Sequence, residues 1–189
     1  MPAQAKKPKP AKLGPQPENP AQVIIDDAVA ENVWRLLPQA EGDVEITGES
    51  LASGNVILPY KLWHNLRDEL AERAHEIGVW LDSDESAELL GEDAKALPLI
   101  AVHFPAFADG RGFTTGRLLR ERYGFDGELR AVGAFMRDQL TYLRRCGFNA
   151  FAYEGQQSLE NLLESLHDFS DSYQAALDQP LPMFRRRAV

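Results

Sequence analysis

Residues 97–116 read LPLIAVHFPAFADGRGFTTG, and this stretch decides the architecture. Leu99–Phe104 is an apolar run broken only by His103, the pattern of a strand covered on both faces in a parallel sheet. A glycine-rich loop follows, and then a helix predicted at about Thr115–Tyr123, closed by Gly124. Parallel neighbours need crossover connections, which are usually helical.

The same rhythm extends in both directions. Upstream, strands are predicted at Val56–Leu58 and Val79–Leu81. Between them lies a helix over Lys61–Ile77, striped by Leu62, Leu66, Leu70 and Ala74 and ended by Gly78. Asp82 with Glu85 resembles a capping box opening a helix to about Leu90. Downstream, Leu129–Val132 leads to a helix over Phe135–Cys146 that buries Met136, Leu140 and Leu143. Ala150–Tyr153 leads to a long helix from Ser158, striped by Leu159, Leu162, Leu163, Leu166, Phe169, Tyr173 and Leu177.

About five successive strand–helix units predict an α/β fold with a mainly parallel sheet. An incomplete (β/α) barrel and an open doubly wound sheet both fit, because strand order is not legible. The expected organisation is a basic, proline-rich disordered tail over 1–20, a small β-rich lead-in over 21–55, the α/β domain over 56–180 and a basic tail over 181–189. Residues 1–20 hold six of the twelve prolines, too little apolar surface to fold. In the lead-in, short and mostly antiparallel strands are predicted at Val23–Ile25, Val33–Leu37 and Val44–Ile46.

Charge is unevenly distributed behind a net −9. Residues 1–17 carry four lysines and no acid, residues 18–109 carry 19 acids against five bases, and residues 111–145 carry eight arginines. So acidic a chain argues against nucleic acid as a partner, which needs a broad basic face. Spanning a membrane takes about 20 consecutive apolar residues, and no such run or signal peptide is present, so no membrane partner and a cytoplasmic location are expected. Cys146 is the single cysteine and cannot form an internal disulfide or a multi-cysteine metal site. Its place on the apolar face of a helix end reads as an inert thiol.

In either architecture, ligands meet the loops at the carboxyl ends of the strands. That rule selects Tyr60, Asp82, Ser83, Asp84, the loop after the central strand, Gly133, Arg137 and Glu154. The anion- or ligand-binding candidates are Gly110, Arg111, Gly112, Thr114 and Arg137: glycines admit close backbone approach, and guanidinium groups pair with oxyanions. The same glycines equally serve a plain turn into a helix. His103 and Asp109 are the weak catalytic candidates, histidine because it titrates near neutrality; Asp109 or Glu154 could orient the ring. A satisfied core histidine is the competing reading. His64, His75 and His167 read as surface residues. Gly110, Gly112 and Gly116 space as GxGxxxG, not a dinucleotide fingerprint, and no phosphate-binding P-loop or metal-ligand pattern occurs. No cofactor and no metal is assigned on these grounds.

The run from Leu97 to Phe151, with its DGRG…RLLRERYG and RDQL…RRCGF blocks, and the ending FSDSYQAALDQPLPMFRRR resemble the bacterial family called domain of unknown function 934. Weaker similarity extends to VILPYKLW and IGVWL. The resemblance implies an accessory role in assimilatory sulfur metabolism, with sulfite reductase as partner in electron delivery, assembly or sulfite handling. The family carries an oxidoreductase label but no established catalytic residues. The alternative it leaves open is a small α/β oxidoreductase or transferase that binds a sulfur oxyanion or a phosphate-bearing cofactor at the Gly110–Gly112 loop.

Overall fold

A computed structural model describes residues 16–39, 47–51 and 53–186. The strand expected at Val44–Ile46 and the tail over 1–15 lie outside the described residues. The strands are β1 (Gln22–Ile25), β2 (Ala28–Glu31), β3 (Arg35–Leu36), β4 (Val56–Pro59), β5 (Ile77–Leu81), β6 (Leu99–Phe104), β7 (Glu128–Gly133) and β8 (Ala150–Tyr153). They form one sheet in the order β2-β1-β8-β7-β6-β5-β4-β3. From β3 to β8 every pairing is parallel, while β1 pairs antiparallel with β2 and with β8.

The consecutive order of β4 to β8 removes the doubly wound alternative, which needs a reversal of strand order and helices on both faces. Here the helices are α1 (Tyr60–Leu66), α2 (Arg111–Glu121), α3 (Leu140–Arg145), α4 (Leu159–Ser165) and α5 (Met183–Arg186). Leu66 of α1, Leu119 of α2, Leu140 and Leu143 of α3 and Leu162 of α4 share one core with Val56, Val79, Ile100, Val102 and Leu129. The opposite face carries Val23, Leu36, Ile57, Trp80, Leu99, Ala101, Val132 and Ala152.

This second face is the inside of a curl. Laid flat, eight strands would put β2 and β3 roughly 34 Å apart at the usual inter-strand spacing. Only Asn32–Trp34 join them, a link that spans at most about 14 Å. The sheet therefore bends into a half-barrel. Trp80 fills the interior, and its indole Nε1 donates to Leu37 O at 2.8 Å, so the buried donor is satisfied.

The lead-in and the crossovers depart from the expected elements. Strand β2 went unforeseen because AVAE has no strand-like signal of its own; Asp26 and Asp27, both at positive φ, turn it back onto β1. The strand expected over Val33–Leu37 shrinks to Arg35–Leu36. The helix expected to Ile77 stops at Leu66, with a 3-10 segment at Ala71–Glu76, and Gly78 lies inside β5. The segment after β5 is 3-10 at Ala87–Leu89 and Gly91–Ala96. Met136 is exposed, and the last long helix ends at Ser165, leaving Phe169 and Tyr173 in solvent. Five full strand–helix units are thus not realised, because the short crossovers give two of them 3-10 turns instead of long α-helices. Residues 16–20, expected within the disordered tail, are held: Pro17 is buried and Gln16 Oε1 accepts from Gln39 N at 3.0 Å. Likewise Arg186 is anchored, its Nη2 donating to Ser172 O at 2.6 Å.

Helix α2 starts at Arg111, inside the expected loop, and lies close against the sheet. A Cβ on Gly112 would stand 2.6 Å from the Phe104 ring, and one on Gly116 would strike Phe148. Both glycines are packing positions. Gly112→Ala is expected to cost about 1–3 kcal/mol by overpacking. Gly110→Ala, whose nearest neighbour is Phe113 at 3.7 Å, is expected to stay within about 0.5 kcal/mol. Urea unfolding of the two variants checks the contrast.

Candidate functional site

Because β4 to β8 run in one direction, their carboxyl ends share one rim of the half-barrel. Asp82 follows β5, His103 is the penultimate residue of β6, Gly133 ends β7 and Glu154 follows β8. The curl brings the residues that these ends carry toward one another.

His103 faces the interior, 2% exposed, with the Trp80 indole edge-on at 5.8 Å. Its Nδ1 lies 3.0 Å from Asp82 Oδ1. A carboxylate only accepts, so in the neutral ring the proton belongs on Nδ1 and Nε2 is left as the acceptor. Asp82 is aimed by its own turn. Glu85 Oε2 accepts from Asp82 N at 3.0 Å, and Ser83 N donates to Asp82 Oδ1 at 2.7 Å. The Asp82–Glu85 capping box is therefore half made: Glu85 reaches back, but the Asp82 carboxylate turns to the imidazole and no α-helix follows.

Across the ring, Gly133 has φ +96, and a Cβ there would come within 2.6 Å of Phe104 O and 2.7 Å of His103 Cδ2. Only glycine lets β7 end against the imidazole. Beyond it, Glu154 Oε1 accepts from Glu18 N at 2.7 Å. Burial pushes the Glu154 carboxyl above the ordinary carboxylate range, against the pull of that Glu18 amide.

On the outer side of the rim sits Arg111. Its Nε donates to Asp109 Oδ1 at 2.9 Å, and its Nη2 to Asp109 Oδ2 at 2.6 Å and Ser83 Oγ at 2.9 Å. Arg111 is not left free for an oxyanion, for a local reason: Asp109, two residues before it, closes a bidentate pair. Asp82 and Asp84 add further negative field at this arginine. The Arg111 bond holds the Asp109 carboxyl down at about 2.

The remaining candidates scatter. Thr114 is exposed on the first turn of α2. Gly110 borders open space, whereas Gly112 is closed off by Phe104. Arg137 stands on the turn after β7, 3.8 Å from Asp168. Asp109 does not orient His103; Asp82 does, and the signal for it was its place directly after the strand adjoining β6. His64, His75 and His167 are exposed. Cys146 is buried, and burial pushes its thiol up. Among the described residues no group of three or more His, Cys, Asp or Glu could hold a metal ion, and no helix is long and apolar enough to cross a membrane.

A family model described as a bacterial protein of unknown function, DUF934, matches residues 78–184, more than half of the chain. No curated protein matches the sequence significantly.

The Asp109–Arg111 pair makes acid sensitivity predictable. A carboxyl depressed from 3.8 to about 2 contributes stability above the upper value and loses it as pH falls through the lower one. Carboxyl NMR is expected to follow Asp109 titrating near 2, and Arg111→Ala to return it toward the ordinary range. In that variant the part of the acid-induced stability loss belonging to Asp109 shrinks, because its folded and unfolded pKa values draw together.

Proposed function

Because the chain belongs to DUF934, a family of bacterial proteins of unknown function, we propose the role that its motifs imply by resemblance: an accessory protein of assimilatory sulfur metabolism, acting with sulfite reductase in the cytoplasm. The observation that supports a docking role is a group of exposed aromatic rings. Tyr142, Phe169 and Tyr173 are 57%, 70% and 68% exposed and line one cleft of about 360 Å³ with Arg117 and Arg145. Rings left in water favour being covered, and aromatic residues with arginine are the usual anchors of protein interfaces. Phe184 on α5, also exposed, adds to the large apolar side chains of this C-terminal stretch.

The rim weighs against the alternative of an oxyanion or phosphate-bearing cofactor at Gly110–Gly112. Arg111 is neutralised by Asp109 and flanked by Asp82 and Asp84, so an incoming anion meets net negative charge. Gly112 offers no cradle, since Phe104 occupies the space beside it. Contact with the partner, in assembly or electron delivery, accords better with this arrangement than sulfite handling at the loop.

The test is recovery of sulfite reductase on the tagged protein from sulfate-grown cells, together with complementation of a deletion strain. A Phe169→Ala, Tyr173→Ala double variant alters only exposed side chains and is expected to fold normally. It is expected to recover at least tenfold less sulfite reductase and to fail to restore growth on sulfate. Equal recovery with wild type and variant would remove the patch as the contact. No recovery with wild type, and unchanged growth of the deletion strain, would remove the proposed role altogether.

A further inference from the structure

The docking proposal makes no use of the imidazole at the rim. His103 is almost fully buried, its Nδ1 is engaged by Asp82, and among the described residues none hydrogen-bonds Nε2. With Nδ1 held by a carboxylate, Nε2 is the ring nitrogen that a substrate can meet. Nε2 is directed to the Gly133 side of the ring: a Cβ on Gly133 would lie 3.1 Å from it. The Glu154 carboxyl lies in the same neighbourhood, under the influence of both the Gly133 backbone and the His103 imidazole. Asp82 after β5 and Glu154 after β8 thus bring carboxyl groups from two strand ends to the rim that carries the imidazole, with Asp82 Oδ1 3.0 Å from Nδ1.

We propose that this rim is a proton-transfer site, in which His103 Nε2 takes a proton from a small uncharged or cationic substrate, Asp82 holds the ring, and Glu154 returns a proton to the substrate. The bond to the substrate's hydrogen breaks, its electron pair stays on the substrate, and an N–H bond forms at Nε2. Asp82 stabilises the resulting imidazolium, as a carboxylate at Nδ1 does. The Glu154 O–H bond breaks as its proton passes to a second substrate atom, leaving a carboxylate. Transfer of the proton from the imidazolium to Glu154 through water restores the site. Atoms and electrons balance without an oxidant or reductant, so the reaction class is a proton-shift isomerisation or an elimination.

Burial of Glu154 favours the protonated form that this role needs. The substrate's charge follows from the surroundings: Asp82, Asp84 and Asp109 stand against Arg111, so oxyanions are disfavoured. The Glu18 amide donates to Glu154 Oε1 at 2.7 Å and fixes the position of that carboxyl.

The full-length protein tests this with 5-nitrobenzisoxazole, an uncharged carbon acid. Removal of its C–H proton by a placed base breaks its N–O bond and releases a coloured phenolate. Wild type is expected to release the phenolate faster than buffer, and His103→Gln to lose at least tenfold of the catalysed rate. His75→Gln, which changes an imidazole 77% exposed, is expected to match wild type. Methylammonium is expected to slow the reaction and sulfite to leave it unchanged. Asp82 is a positioning residue: nitrogen-15 NMR is expected to show the His103 proton on Nδ1 in wild type and shared between the nitrogens in Asp82→Ala. Equal rates for wild type and His103→Gln would overturn the site. Were His103→Gln to misfold, a wild-type spectrum with the proton on Nε2 would overturn it independently. Inhibition by sulfite but not methylammonium would overturn the substrate class. The assay contains no partner protein, so its outcome is separate from that of the docking proposal.

Discussion

Three residues, Asn32–Trp34, join the two outermost strands of an eight-stranded sheet, and the rest of the structure depends on that short link. A chain segment this short cannot cross a flat sheet, so the sheet has to curl until its edges face each other. The link is anchored at several points. Arg130, 1% exposed on the inner face, donates through Nη1 to Asn32 Oδ1 at 2.9 Å and through Nε to Glu128 at 2.6 Å. Asn32 Nδ2 in turn donates to Asn19 Oδ1 and Pro20 O. A buried guanidinium is tolerated when a carboxylate pairs with it, here Glu128, and one of its hydrogen-bond acceptors belongs to the crossing segment itself.

Curling divides the packing into two unequal cores. The outer face carries the helices and the larger apolar cluster, with Phe113, Phe135 and Phe148 each in ring contact with Phe104. The inner face is narrow, so it combines one large side chain, Trp80, with small ones such as Ala101 and Ala152. At its upper end the interior gives way to polar groups, as the carboxyl ends of parallel strands commonly do. The chain places an imidazole there, directly above the Trp80 ring.

Electrostatics at this rim follow from neighbours rather than from the residues that look functional one at a time. Arg111 is cationic, but its carboxylate partner stands two residues away and closes the pair. Glu154 is acidic, but its strand end is covered by the backbone of residue 18. The acidity of residues 18–109 thus reaches the rim through Glu18, Asp82, Asp84 and Asp109, and it sets the sign of charge that the rim accepts.

Much of this was legible in the residues alone. The apolar runs at 99–104, broken only by His103, and at 150–153, and the glycines and prolines that punctuate them, determined which segments are strands and that the central ones run parallel, because burial on both faces demands apolar residues at nearly every position. The same pattern located the carboxyl end of the sheet and put His103 on it. Strand order, curl and the partner of each polar group are long-range matters. Asp82 and His103 are 21 residues apart, and they meet only because β5 pairs with β6. Short segments such as Ala28–Glu31 carry too little pattern to announce themselves, and the 3-10 turns after β4 and β5 replace helices because the chain between neighbouring strands is pressed onto the sheet. Local sequence determined the strands, their carboxyl end and the closeness of Asp109 to Arg111; only tertiary pairing, which sets β5 beside β6, decided that Asp82 would hold the imidazole.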